Sequence, residues 1–278
     1  MSVKVGFAKV GNIGSAVLIE MLLDERADRK DIDVRVVSSG AKLGEDQSNC
    51  VSEKMVELKP DIAIVTSPNA TLPGPTKIRL ALKDANIPTI VVSDGPGKKA
   101  AKSIEESGQG YIIVEADSMI GARREFLDPV EMSIFNADIV KVLAITGAFD
   151  ILRDEIDKSI SAIKNSQPIN LPRIIVKKEN AVEASGLKNP YARAKAIAAY
   201  EVAKRVADLT VEGCFMVQEW ERYTPLVAAG HEMLAAAARL ADDARSIEKS
   251  NDSVVRKPHY KDGSNLIKSK LIEKPSST

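Results

Sequence analysis

Apolar runs alternate with polar, helix-like stretches through the first half of the chain. Val3–Val10 is mostly apolar and leads into Gly11-Asn12-Ile13-Gly14. Asp33–Ser38, Asp61–Thr66, Pro88–Ser93 and Tyr111–Val114 repeat the pattern, with Ser15–Leu23, Asp46–Leu58, Pro75–Asp84 and Lys98–Ser107 between them. Short Val- and Ile-rich runs separated by helix-length segments predict βαβ units around a buried parallel sheet. The fold class expected is α/β, with a Rossmann-like parallel sheet in the N-terminal half.

The second half reads as helical. Asp128-Pro129-Val130-Glu131 combines a capping Asp, a Pro at the first helical position and a Glu at the third. Apolar residues then recur at helical spacing from Val130 to Ile163, which predicts one long helix kinked near Gly147. Alanine-rich helices follow at Tyr191–Leu209 and about Thr224–Lys249, where small side chains permit close packing. Val254–Tyr260 and Leu266–Ile272 flank Asp262-Gly263 and predict a C-terminal β-hairpin that docks on the body. Residues 274–278 read as a frayed tail. The expected organisation is a coenzyme-binding α/β region over 1–125, a helical and oligomerising region over 126–250, and the hairpin and tail over 251–278.

Composition narrows the function classes. The 278 residues carry 39 Lys+Arg and 39 Asp+Glu. A neutral chain lacks the cationic surplus that phosphate backbones demand, so no nucleic-acid partner is expected. No apolar run approaches the length of a membrane span, and no charged-then-apolar leader precedes the first strand. A cytoplasmic protein without a membrane partner is expected. Cys50 and Cys214 are far apart and in no paired motif, and only two histidines, His231 and His259, are present. Reduced structural thiols and no metal site follow.

In parallel α/β sheets ligands bind beyond the carboxyl ends of the strands. The segments there are 9–15, 38–43, 66–75, 93–97 and 115–124. The first stands where a dinucleotide fingerprint would, but Lys9 replaces its first glycine. Gly11 and Gly14 still allow a tight turn and a helix start whose free N–H groups could hold a phosphate. After the second strand stands Ser38-Ser39-Gly40, with no acid to read an adenosine ribose. Lys42 keeps a phosphorylated ribose open. The segment 115–129 is the densest in charge, with paired acids, paired arginines and Gly121.

These same residues resemble the coenzyme F420-dependent methylenetetrahydromethanopterin dehydrogenases of methanogenic and related archaea. The resemblance is carried by Lys9–Gly14, Leu23–Arg29, Ser39–Lys42, Pro68-Asn69 with Pro73–Pro75, Asp94–Gly97, and the run Met119–Met132. The last is the most specific. One departure is Glu115, where a basic or neutral residue is expected before Asp117.

The resemblance implies reversible hydride transfer between the reduced deazaflavin coenzyme F420 and methenyl-tetrahydromethanopterin, and a homohexamer built as a trimer of dimers. A deazaflavin carries hydride by itself, so neither metal, flavin nor redox thiol is called for. The protein must hold two rings about 3–3.5 Å apart and exclude water. On this reading Gly11, Asn12, Gly14, Ser39, Gly40, Thr66, Ser67 and Asn69 hold the coenzyme. Asp94, Glu115 and Asp117 lie near the cationic pterin, with Asp117, Met119 and Ile120 binding it. Arg123 and Arg124 belong to cleft or subunit structure. The rival readings are an NAD(P)-dependent Rossmann-type oxidoreductase and a non-catalytic nucleotide-binding protein.

Overall fold

The computed structural model describes residues 2–277. Four βα repeats and a fifth strand open the chain. Strand β1 (Val3–Lys9) is followed by helix α1 (Gly14–Leu23), β2 (Ile32–Ser38) by α2 (Glu45–Leu58), and β3 (Ile62–Ser67) by α3 (Pro73–Asp84). Then β4 (Thr89–Asp94) leads through a 3-10 turn (Gly95–Ala100) into α4 (Ala101–Glu106), and β5 is Gly110–Val114. A sixth strand, β6 (Arg173–Val176), pairs parallel with β5, giving the order β2-β1-β3-β4-β5-β6. Order reverses between β1 and β3, so the topological switch point lies between their carboxyl ends.

Side-chain alternation divides the core into two layers. Val5, Phe7, Ile64, Ile90, Val92 and Ile112 face one way, onto α1 and the helices of the second half. Ala8, Val10, Ala63 and Val65 face the other way, onto α2 and α3. Central strands β3 and β4 are buried on both faces, which explains why they read as continuous apolar runs.

The second half is helical but not as one long rod. Helices α5 (Pro129–Ile145) and α6 (Ala148–Lys164) meet at 71°. Gly147 sits between them at φ +92°, and a Cβ there would lie 2.0 Å from the Ala181 carbonyl oxygen. The expected kink is therefore a break that only glycine accommodates. After α6 comes β6, where the sequence pattern had shown only helix. Then follow α7 (Lys178–Ala184), α8 (Pro190–Val211), a π-helical turn (Glu212–Met216) and α9 (Trp220–Ser250). Ala192, Ala196, Ala199 and Ala203 of α8 and Ala237, Ala241 and Ala244 of α9 are all buried, as close packing of that pair requires. Among the described residues no single helix is long and apolar enough to cross a membrane.

The C-terminal hairpin forms around Gly263, with bridges Arg256–Lys268 and His259–Asn265. Within the expected frayed tail Ser276–Ser277 is instead paired, antiparallel to Leu266–Ile267, and Thr278 lies outside the described residues. Docking runs through His259, which is 3% exposed. One of its ring nitrogens meets Glu25, just after α1, and the other meets Asp157 of α6 at 2.9 Å.

Candidate active site

The segments after β1, β2 and β3 converge on Gly11. It has φ +75°, and a Cβ there would meet Leu43 and Pro68, each at 3.0 Å. Its N–H donates to the Gly40 carbonyl at 3.0 Å, while the Ser39 N–H donates to the Lys9 carbonyl. Gly40, at φ +62°, has open space where a Cβ would stand. Asn12 and Gly40 are exposed, and Ser39 and Asn69 are half-buried. The switch point is thus a backbone cradle with small polar rims.

Within that set the structure separates rim from interior. Thr66 and Ser67 are fully buried strand residues; the Thr66 hydroxyl donates to the Ala8 carbonyl and the Ser67 hydroxyl has no partner among the described residues. The Asn69 carboxamide oxygen accepts from the Thr71 N–H and hydroxyl, fixing the turn before α3.

One expectation is overturned. The start of α1 does not offer free N–H groups, because Asp117 occupies them. Its Oδ1 accepts from the Gly14 N–H at 2.7 Å and its Oδ2 from the Ser15 N–H at 2.8 Å. Gly14, Ser15 and Asp117 are all buried. A carboxylate on a helix N-terminus satisfies orphan donors and the dipole together, so an anion entering there would have to displace it. Burial nevertheless pushes the Asp117 carboxyl up, against the lowering pull of these hydrogen bonds.

Two further acids lie beside it on neighbouring strand ends. Asp94 ends β4, is 2% exposed, and among the described residues accepts only the Gly95 N–H. Burial raises it well above the usual carboxylate range, and the nearby Asp117 and Glu115 charges add to that rise. Glu115, after β5, is 6% exposed but is bridged by Lys98 and by Lys204 of α8, the latter at 2.8 Å. Burial alone would raise it; the Lys204 and Lys98 contacts outweigh that and hold it low. Three adjacent carboxyl groups thus have three different environments. Met119 and Ile120 follow, half-buried.

A family model described as methylene-5,6,7,8-tetrahydromethanopterin dehydrogenase matches residues 3–276. The chain belongs to that family. The F420-dependent methylenetetrahydromethanopterin dehydrogenase of Archaeoglobus fulgidus is 57% identical over 275 residues, covering 99% of this chain and 100% of the relative. That of Methanothermobacter thermautotrophicus is 52% identical with the same coverage. A solved structure of an F420-dependent methylene-tetrahydromethanopterin dehydrogenase, in complex with methylene-tetrahydromethanopterin and coenzyme F420, superposes with a TM-score of 0.96 at 45% identity. It covers 99% of this chain and 100% of that one.

Family motifs and geometry meet at the run Met119–Met132. Arg123 donates to the Gly213 and Val217 carbonyls, each at 3.0 Å, and stacks on Tyr223 at 4.1 Å. It fastens the sheet-edge segment to the π-helical turn. Arg124 is exposed. Sequence reasoning missed Lys98 and Lys204. Lysines scattered over a helix or turn usually face water, and no spacing singles out the two that meet Glu115.

Proposed function

We propose that this protein catalyses reversible hydride transfer between reduced coenzyme F420 and methenyl-tetrahydromethanopterin, giving the methylene carrier. The observation that carries the reading is the full-length match, at TM-score 0.96, to a dehydrogenase holding both molecules. Coenzyme F420 supplies a two-electron hydride carrier, so the protein's own residues bind, orient and exclude water.

The switch point supports a division of labour along the sheet edge. Asn12, Ser39, Gly40 and Asn69 form an exposed or half-buried, uncharged rim around the buried Gly11, and this side suits the coenzyme. Gly14, Thr66 and Ser67 shape that side from beneath. Asp94, Met119 and Ile120 lie on the β4–β5 side and suit the carrier. Asp94 is the acid there with no cation bonded to it among the described residues, so it is the group that would answer a cationic ring. Glu115 and Asp117 act through their partners, one through two lysines and the other through α1.

A cytoplasmic homohexamer, assembled as a trimer of dimers, belongs to the same reading. Phe215, Met216 and Trp220 are 66%, 71% and 57% exposed on one short segment, and Val130 and Ile134 are exposed on α5. Contiguous apolar exposure of that kind favours burial against another subunit.

The test is an anaerobic assay with methenyl-tetrahydromethanopterin and each reduced coenzyme in turn. Oxidation of reduced F420, with none of NADH or NADPH, is expected. Turnover with a nicotinamide instead, or binding of F420 without turnover, would overturn the reading in favour of one or the other rival.

A further inference from the structure

Two lysines from separate elements meet one buried carboxylate at the sheet edge. Each oxygen of Glu115 has its own ammonium partner, Lys98 on Oε1 and Lys204 on Oε2. Lys98 belongs to the 3-10 turn after β4. Lys204 comes from the middle of α8, 89 residues along the chain from Glu115. One residue earlier, the Ala203 carbonyl accepts the Ser118 hydroxyl at 2.6 Å. Helix α8 is therefore fastened twice, at consecutive residues, to the segment that carries Glu115, Asp117 and Met119.

Stability alone does not account for this bridge. Only Glu115 is buried, while the Lys98 and Lys204 side chains are 41% and 33% exposed. Burying a carboxylate costs desolvation, and attraction to partly solvated partners is screened and offsets it only in part. The groups facing Glu115 are Asp94 from β4, Lys98 from the turn, Lys204 and the Tyr200 phenol from α8, and more remotely Lys178 of α7, while Asp117 and Lys98 also act on Asp94. With both oxygens of Glu115 matched by ammonium groups, and Asp117 matched by two N–H groups, Asp94 alone has no more than one backbone donor.

We propose that Lys98 and Lys204 are positioning residues for hydride transfer: they close both oxygens of Glu115 and leave Asp94 as the carboxyl that meets the cationic carrier. This rests on the reading of the reaction given above. Removing either lysine leaves an extra uncompensated charge beside Asp94, or a Glu115 that takes up a proton in its place. Both outcomes disturb how the edge responds to a cation.

The test compares K204M, K204R and K98M in the full-length protein. Melting temperature, the pH dependence of kcat and KM, and calorimetric binding of the methenyl carrier without coenzyme are measured for each. K204M is expected to lower kcat/KM for the carrier about tenfold, equivalent to one pKa unit of altered interaction. A new titration should enter its carrier-binding profile, while KM for reduced F420 stays unchanged. K98M should act in the same direction, and K204R should restore both quantities. A wild-type pH profile in K204M would overturn the proposal, as would K204R impaired as much as K204M, which makes the contact one of shape. Failure of both K204M and K98M to fold would also overturn it, by assigning the bridge to stability. Absence of F420-dependent turnover in the wild-type protein is a separate result that overturns the reaction itself.

Discussion

Asp117 and Gly14, 103 residues apart in the chain, are joined by a hydrogen bond of 2.7 Å that closes the start of α1. With the Ser15 N–H on its other oxygen, Asp117 caps the first helix of the coenzyme side from the far side of the sheet edge. Asp117→Ala leaves two buried N–H groups without acceptors. A lost cap and a buried orphan donor together cost about 2–3 kcal/mol. Asp117→Asn, which retains one acceptor oxygen, should lose about half of that. Urea unfolding measures both, and an Asp117→Ala protein as stable as wild type would show that water replaces the cap.

Asp94 makes a prediction with the opposite sign. Its carboxyl is raised well above 3.8 by burial and by Asp117. A raised folded-state pKa contributes stability that is complete below the unfolded value and is lost as pH rises through the folded one. Asp94→Asn carries no ionisable proton, so its melting temperature should fall less steeply between mildly acidic and alkaline pH. Parallel melting curves for the two proteins across that range would contradict the assignment. Carrier binding should weaken in the same variant at high pH, where the wild-type carboxyl is ionised.

His259 joins the C-terminal hairpin to two parts of the body. Burial lowers its pKa, but the Asp157 and Glu25 contacts outweigh burial and raise it above 6.5. Its contribution is complete below pH 6.5 and is lost as pH rises through the higher folded value. His259→Gln should cost about 3 kcal/mol, since it leaves the buried Asp157 carboxylate without its cation. Limited proteolysis should then release the hairpin at neutral pH more readily than in wild type, whose own resistance should fall as pH rises through the raised His259 value. Equal resistance of both proteins would place the docking elsewhere.

The break between α5 and α6 depends on one residue. Gly147→Ala places a methyl group against the Ala181 carbonyl oxygen at a φ of +92°. Backbone strain and the forced shift of α7 should cost about 2–4 kcal/mol, read as a lower melting temperature. An unchanged melting temperature would mean that α7 gives way freely.

Much of the fold was legible in the chain. Five strands and the four helices between them were readable because strands buried on both faces must be apolar throughout, and the helices between must show one apolar stripe. The candidate site was legible as a set of loops, since all parallel strands end on one side. Strand β6 was not. Arg173–Val176 is a four-residue edge run set among helical segments, and so short a run does not distinguish strand from helix. The break at Gly147 was also read too mildly, because the obstacle is a carbonyl from α7 and not anything local.

The sequence by itself determined the α/β class, the loops that gather at the sheet edge and, through Lys9–Gly14 and Met119–Met132, the family. Those are properties of local periodicity and of contiguous motifs. Only the tertiary structure decided what each charged group at that edge does. Asp94, Glu115 and Asp117 are interchangeable as letters, but one is bonded to a single backbone N–H among the described residues, one is held by two lysines and one caps α1. Partners 17 to 103 residues away make those differences, and electrostatics depends on distance in space, not on distance along the chain.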